Sequence, residues 1–399
     1  MSILAINSGS SSLKFKLYKS QEGEVIASGE IKSYSESSVI STINGKEEFL
    51  DSSKWTNRFE VLRKSLEGNE VDFVLHRIVH GGELYVLPIM LTDEVVEKMK
   101  EDLFDLAPLH NPSAFEILNE SLEVYKEAKQ IALFDSSFGL TIPEVNFLYG
   151  LPYEYYQKYK IRRYAFHGLS HKYVSKSYLN HISDDENIYS NSNSQEETLE
   201  HIRIVSLHLG SGCSTCAIKG TQCVDTSFGF TPEENLVMAT RVGEIDYTAI
   251  NYIKMKENLS DKDISDILNK KSGLLGLSGY TKDMKTIVND YNSNPRAKLA
   301  LDVFINSVVK QTFDMAASLN GMDILIFTGG IGQVSDIVRR MVCERLGILG
   351  VYIDVDKNVD KKENNGILNV SRKDSSVQIV VVPTDEEREM LDESKNLIM

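Results

Sequence analysis

The sequence predicts an α/β protein built as two duplicated halves with a cleft between them, and three small-residue turns predict it. The first, Asn7-Ser8-Gly9-Ser10-Ser11-Ser12, lies between the apolar residues 3–6 and the alternating run Leu13-Lys14-Phe15-Lys16-Leu17. A strand, a tight turn and an outgoing strand make a hairpin whose hydroxyls, backbone N–H groups and Lys14 suit a phosphate. It is not the Gly-x-x-x-x-Gly-Lys-Ser/Thr loop, because a strand rather than a helix follows. The second turn, His208-Leu209-Gly210-Ser211-Gly212, repeats the plan between residues 204–207 and Cys213-Ser214-Thr215. The third, Thr328-Gly329-Gly330-Ile331-Gly332, follows the apolar strand Ile324-Leu325-Ile326-Phe327. Three such turns in one chain point to a bound nucleotide.

The rest of the chain fills in around them. Residues 21–50 alternate and turn as a meander, and helices are predicted over 56–67, 92–104 and 112–127. Between these, residues 71–82 form a strand ending in His76-Arg77 and His80-Gly81-Gly82, which sets cationic groups at the carboxyl end where ligands of open α/β sheets bind. Residues 130–135 form another strand, ending on Asp135, a cap or turn residue on one reading and a catalytic or metal-binding one on another. In Phe166-His167-Gly168-Leu169-Ser170-His171 the glycine and serine start a helix only after His167, and the zinc-protease pattern fails for want of a Glu. Residues 183–199 are polar and low in complexity, a surface insertion without chemistry. Thr231, Pro232 and Glu234 spell a capping box opening a short helix that delivers Arg241. Residues 272–279 read as a loop between helices 261–271 and 282–292, and a long helix spans 295–319. The strand 377–382 runs into a second capping box at Pro383-Thr384-Asp385-Glu386-Glu387 and a closing helix.

Composition narrows the function. With 399 residues, 42% apolar and 25% charged, the chain has the make-up of a globular protein of two or three domains. A net charge of −15 argues against non-specific binding of nucleic acid or acidic membranes, while a local basic site can still hold a small anion. No apolar stretch approaches a membrane span, and the first strand begins almost at Met1, so a cytoplasmic location is expected. His208, Cys213, Cys216 and Cys223 invite comparison with a zinc set, but positions 213 and 216 of one strand point to opposite faces, and reduced, partly buried thiols are expected instead.

The ordered strings NSGSSSLKF, HRIVHGG, APLHNP, FDSSF, FHGLSH, HLGSG, DTSFGFTP, TR, SGLLGLSG, FTGGIG and PTDEE resemble the acetate kinase family from end to end. That resemblance implies two RNase-H-like domains of the actin-like ATPase superfamily, here residues 1–145 completed by 383–399, and residues 146–382. It implies a homodimer, Mg²⁺ (or Mn²⁺), and reversible transfer of the γ-phosphoryl group of ATP to acetate, giving acetyl phosphate and ADP. Carried over, Arg77, Arg241, His167 and Asp135 are the catalytic set. Arg77, Val79, Leu109, Phe166 and Pro232 receive acetate, although each of the four apolar residues also reads as core. Ser10, Ser12 and Lys14 hold phosphate. His208, Gly210, Ser211, Gly212, Asp283, Lys285, Gly329, Gly330, Ile331 and Gly332 take the nucleotide, and Asn7 and Glu386 take the metal. His76, His110 and His171 support these groups.

The chemistry suits the residues. Acetate is already ionised at neutral pH, so no general base is required, and the task is to bring two anions together among positive charges and donors. The sequence departs from the family pattern at Gly139, where a His is usual, at Ser211, Gln333 and Val334 on the donor side, and at Lys285, where Arg is common. The acceptor side is spared. Pyrophosphate as donor and propionate as acceptor are therefore the alternatives, with a non-catalytic actin-like ATP-binding protein as the distant one.

Overall fold

A computed structural model describes residues 1–9, 12–35, 38–51, 53–107, 111–183, 199–360 and 366–398. The chain divides into two compact units: residues 1–137 with 385–399, and residues 138–384.

The first unit is an eight-stranded mixed sheet among the described residues. Its strands are β1 (Ile3–Ser8), β2 (Ser12–Tyr18), β3 (Val25–Ser35), β4 (Ser38–Ile43), β5 (Lys46–Asp51), β6 (Phe73–Ile78), β7 (Ile89–Met90) and β8 (Lys129–Phe134). They lie in the order β5-β4-β3-β2-β1-β6-β8-β7. The predicted hairpin pairs β1 with β2 antiparallel, with Ser8 opposite Leu13. β6 and β8 then add in parallel, as crossover connections require. Every residue of β1 is buried, whereas β2 alternates, so its Leu13, Phe15 and Leu17 feed a core with Leu4, Ile6, Val74 and Ile117. Helices Asp93–Leu103 and Asn111–Val124 match two of the expected ones. The closing helix Glu386–Ile398 returns to this unit and buries Met390, Leu391 and Ile398.

The second unit repeats the plan. Its strands are β9 (Arg203–Leu209), β10 (Cys213–Lys219), β11 (Gln222–Thr226), β12 (Ile324–Thr328), β13 (Leu368–Asn369) and β14 (Gln378–Val381), in the order β11-β10-β9-β12-β14-β13. β9, β10 and β11 form an antiparallel meander, and β12 and β14 extend it in parallel, as β1–β3, β6 and β8 do in the first unit. The duplicated RNase-H-like architecture is thus present in both sheets. Helix Gly168–Ser183 starts directly after His167, and helix Pro295–Ser318 is capped by Asn294. Cys213, Cys216, Cys223 and Cys343 are buried free thiols.

Three local expectations are corrected. Residues 227–246 hold turns and no helix: Asn235 takes the left-handed conformation (φ +70°), and Glu234 bonds to Tyr149 rather than back to a helix start. Residues 272–279 are a short helix, Gly273–Ser278, despite three glycines. It is built by tertiary contacts, with Leu274 N–H donating to Met238 O and Leu275 N–H to Ala239 O, which outweigh poor propensity. The closing helix is capped by Asp385, whose carboxylate accepts from Arg388 N–H (2.9 Å), while the buried Thr384 hydroxyl has no partner among the described residues.

Candidate active site

In the first unit the carboxyl ends of three parallel neighbours gather the polar residues. β1, β6 and β8 are aligned so that Ile6, His76 and Ala132 share one level. Asn7 and Arg77 therefore emerge side by side, and Asp135 follows two residues beyond Leu133, the neighbour of Arg77 on β8. Arg77 Nη1 donates to Asn7 Oδ1 (3.1 Å) and Nη2 to Asp135 Oδ2 (2.6 Å). Asp135 is fully buried, and Arg77 Nε, also buried, has no partner among the described residues. Burial opposes the Arg77 charge, but the carboxylates of Asp135 and Glu386 outweigh it and hold the guanidinium above its ordinary pKa.

The network continues into the closing helix. The Asn7 amide donates to Glu386 and to Glu387 Oε1 (3.0 Å). Lys16 Nζ donates to Asp385 Oδ2 (2.5 Å) and lies 4.0 Å from Glu387 Oε2. Burial, reinforced by Glu386, pushes the Glu387 carboxyl up. Lys14 is exposed and stands directly across from Asn7 on the same face of the sheet. Ser12 is half-buried beside them, and its carbonyl accepts from Gly9 N–H. Ser10, Leu109 and His110 lie outside the described residues. Val79 is buried.

In the second unit the histidines form a serine-linked cluster. His167 sits at φ +55°, a conformation disfavoured for a side chain of its size, immediately before its helix. Its ring stacks on His208 at 4.1 Å, and its Nδ1 is 2.8 Å from Ser214 Oγ. Ser214 Oγ is shared with His171 Nε2 (2.8 Å), whose Nδ1 meets Ser206 Oγ (2.9 Å), and Ser170 Oγ meets His208 Nδ1 (2.7 Å). Burial, helped by His208, drives His171 well below its usual pKa, so it remains neutral. Phe166 is buried edge-on against Phe228.

The second and third turns meet beside this cluster. A Cβ on Gly212 would stand 3.4 Å from His167 Nε2 and 3.7 Å from Arg241 Nη1, so this glycine keeps open the space between the two. A Cβ on Gly210 would stand 4.0 Å from Gly330 N. Gly329 (φ +74°) approaches the Leu209 carbonyl so closely that a Cβ would be 2.6 Å away, which only glycine permits, while nothing lies within 4 Å of a Cβ on Gly330. Ile331 is half-buried and Gly332 is buried in the helix Gly329–Val334 that follows. The Ser211 carbonyl accepts from Ala239 N–H (3.1 Å). Arg241 is half-buried, burial pulls its pKa below the usual guanidinium value, and its Nη1 donates to the buried Pro232 carbonyl (2.7 Å). Asp283 and Lys285 are exposed at the start of helix Met284–Asn289, where Asp283 caps Thr286 N–H (2.8 Å).

Several partners escaped the sequence reading. Lys16 was legible only as the residue two beyond Lys14 on the same strand face, and Glu387 only as part of an acidic turn. Ser206 carries no signal except its place between Val205 and Leu207 on β9, and Ser214, beside Thr215 on β10, carries none. Gly139 accounts for its own departure in this chain: a Cβ there would lie 2.5 Å from Ala165 N, and its carbonyl accepts from Arg162.

Comparisons with known proteins agree along the whole chain. Residues 2–391 match the model of the Acetokinase family. An acetate kinase from Bacillus cytotoxicus is 40% identical over 96% of both chains, and one from Thermoanaerobacterium thermosaccharolyticum is 36% identical over 100% of this chain and 99% of its own. Among solved structures, acetate kinase from Porphyromonas gingivalis superposes with a TM-score of 0.85 at 32% identity, covering 100% of both chains. A propionate kinase from Francisella tularensis gives 0.85 at 31% identity over 98% of both.

Proposed function

Because the chain belongs to the acetokinase family, whose members are kinases with a carboxylate acceptor, we propose that it moves the γ-phosphoryl group of ATP reversibly onto acetate, giving acetyl phosphate and ADP. The observation that carries the residue roles is the Arg77 guanidinium, held in place by Asn7 and Asp135 at the ends of three parallel strands. A carboxylate acceptor needs no base at neutral pH. Asp135, fully buried and bonded to Arg77, therefore serves to orient and balance that cation, which in turn holds acetate. Val79, Phe166 and Pro232 supply apolar contact for the methyl group.

On the donor side, charge developing on the phosphoryl oxygens is met by Arg241 and by His167, whose ring is fixed by Ser214 and His208. Gly210, Gly212, Gly329 and Gly330 admit the nucleotide backbone closely, and Lys14 with Ser12 attends the phosphates. Asp283 and Lys285 serve the nucleoside. The acidic turn fits Mg²⁺, a hard cation that takes one or two protein oxygens and keeps water and phosphate for the rest. Glu386 and Asn7 would hold the ion, which supplies neutralisation of the phosphate charge when bound.

The reading extends to a homodimer, supported by helix Tyr247–Glu257, which buries no residue and exposes Tyr247, Tyr252 and Met255. It extends also to a cytoplasmic enzyme, which the four buried thiols suit.

A hydroxylamine trap for acyl phosphate, run with acetate, Mg²⁺ and ATP, tests the activity. Arg77→Ala and Arg241→Ala should each lose about 3 to 4 kcal/mol of transition-state stabilisation, a rate drop of two to three orders of magnitude. Product with pyrophosphate but not ATP would replace the donor, and faster turnover of propionate would replace the acceptor. Product undiminished in either arginine variant would remove that residue's role.

A further inference from the structure

The carboxylate that the sequence assigns to a helix start is used elsewhere. Glu234 Oε2 accepts from the Tyr149 hydroxyl (2.7 Å), and the same hydroxyl accepts from Phe230 N–H (2.8 Å). Arg163 closes the group, with Nη1 3.5 Å from Glu234 Oε1 and its guanidinium 5.0 Å from the Tyr149 ring centre. The turn lies flat on this clamp: a Cβ on Gly229 would fall 1.8 Å from Glu234 Oε2 and 2.3 Å from Tyr149 Oη. Gly229 O is pinned from the other side by Tyr164 N–H (2.9 Å), and Asn235, in its left-handed conformation, donates to Ser227 O. Two residues beyond Phe230 is Pro232, whose carbonyl receives Arg241.

We propose that Tyr149 and Glu234 are positioning residues for Arg241, fixing the turn whose Pro232 carbonyl aims the guanidinium. The inference rests on the reading in which Arg241 meets charge on the transferred phosphoryl group. Its logic is electrostatic. Arg77 donates to a carboxylate that offsets part of its charge, whereas Arg241 donates to a carbonyl, which is a neutral acceptor. A carbonyl can aim a cation only if its own backbone is held. The Tyr149–Glu234 pair supplies that hold, and burial together with Glu234 raises the Tyr149 pKa, which keeps the hydroxyl protonated as a donor.

The test uses the full chain with Tyr149→Phe, Glu234→Ala, Glu234→Gln and Arg241→Lys. Tyr149→Phe keeps the ring and removes both hydrogen bonds of the hydroxyl. We expect kcat to fall about ten- to a hundredfold, as small misplacements of catalytic groups do, with KM for ATP unchanged. Glu234→Ala should behave alike, and Glu234→Gln, which still accepts from Tyr149, should recover most of the rate. The decisive comparison is Tyr149→Phe in the Arg241→Lys background, where no further loss is expected because the residue acts through Arg241. Multiplicative losses would overturn the proposal. A readout independent of turnover is the Nε–H resonance of Arg241 in ¹⁵N-labelled protein, assigned by its disappearance in Arg241→Lys. Tyr149→Phe should shift it, and an unmoved resonance would sink the clamp. Wild-type protein that forms no acyl phosphate would count against the activity, and the resonance would still decide the clamp.

Discussion

At the scale of single residues, the two units order their arginines by different means: Arg77 between an amide and a buried carboxylate, Arg241 on a carbonyl. Next to Arg77 on the same strand, His76 shows what burial does to a titratable group. Burial brings its pKa down from 6.5 to about 4, although its bond to Gln130 Oε1 (2.7 Å) works the other way. Between those values the unfolded chain binds the proton and the folded chain does not, so stability falls as pH drops below 6.5. By pH 5 the loss is about 2 kcal/mol. Urea unfolding at pH 7 and pH 5 should show that much extra loss in the wild type relative to His76→Gln, and equal losses in the two proteins would refute the assignment. Such residues are named by sequence but not explained by it. Arg77 and Asp135 were legible because each closes an apolar run, whereas the bond between them depends on strand register across 58 positions. Glu234 misled because a Thr-Pro-x-Glu string is locally a good helix start, and only Tyr149, 85 positions away, claims its carboxylate.

At the scale of elements, the small-residue hairpins were readable from alternation and turn chemistry alone, and so was the helix beginning after His167. The Gly273–Ser278 helix was not, since its two glycines deny it propensity and its starting hydrogen bonds go to residues 238 and 239. The closing helix is the element most open to a direct test. Asp385 both caps Arg388 N–H and pairs with Lys16. Asp385→Ala should therefore destabilise by about 1 to 2 kcal/mol, the cap contributing most of it. A urea midpoint matching wild type would show that Glu386 and Glu387 hold the helix start without it.

At the scale of the whole molecule, the same strand order appears twice, and this repetition was legible as two similar turns before any strand was paired. No helix among the described residues is long and apolar enough to cross a membrane. The exposed Tyr247, Tyr252 and Met255 on a helix with no buried side chain lead to a prediction at this scale. Wild type should sediment at twice the 44.9 kDa chain mass, and Tyr252→Glu with Met255→Glu should shift it toward a single chain. A wild type that runs as a monomer would refute the dimer. One feature reaches into the life of the molecule before it works at all. The first unit is completed by residues 385–399, which a ribosome reaches only after the whole of residues 138–384. Asn7 thus waits through the making of residues 138–384 for Glu386 and Glu387, so a chain halted in that stretch holds Arg77 with Asp135 but leaves the Asn7 amide without its two carboxylate acceptors. Synthesis in chain order thereby leaves the first unit open in any copy that has not reached residue 385, and a chain stopped after Thr384 should be cut rapidly by protease within its first 137 residues.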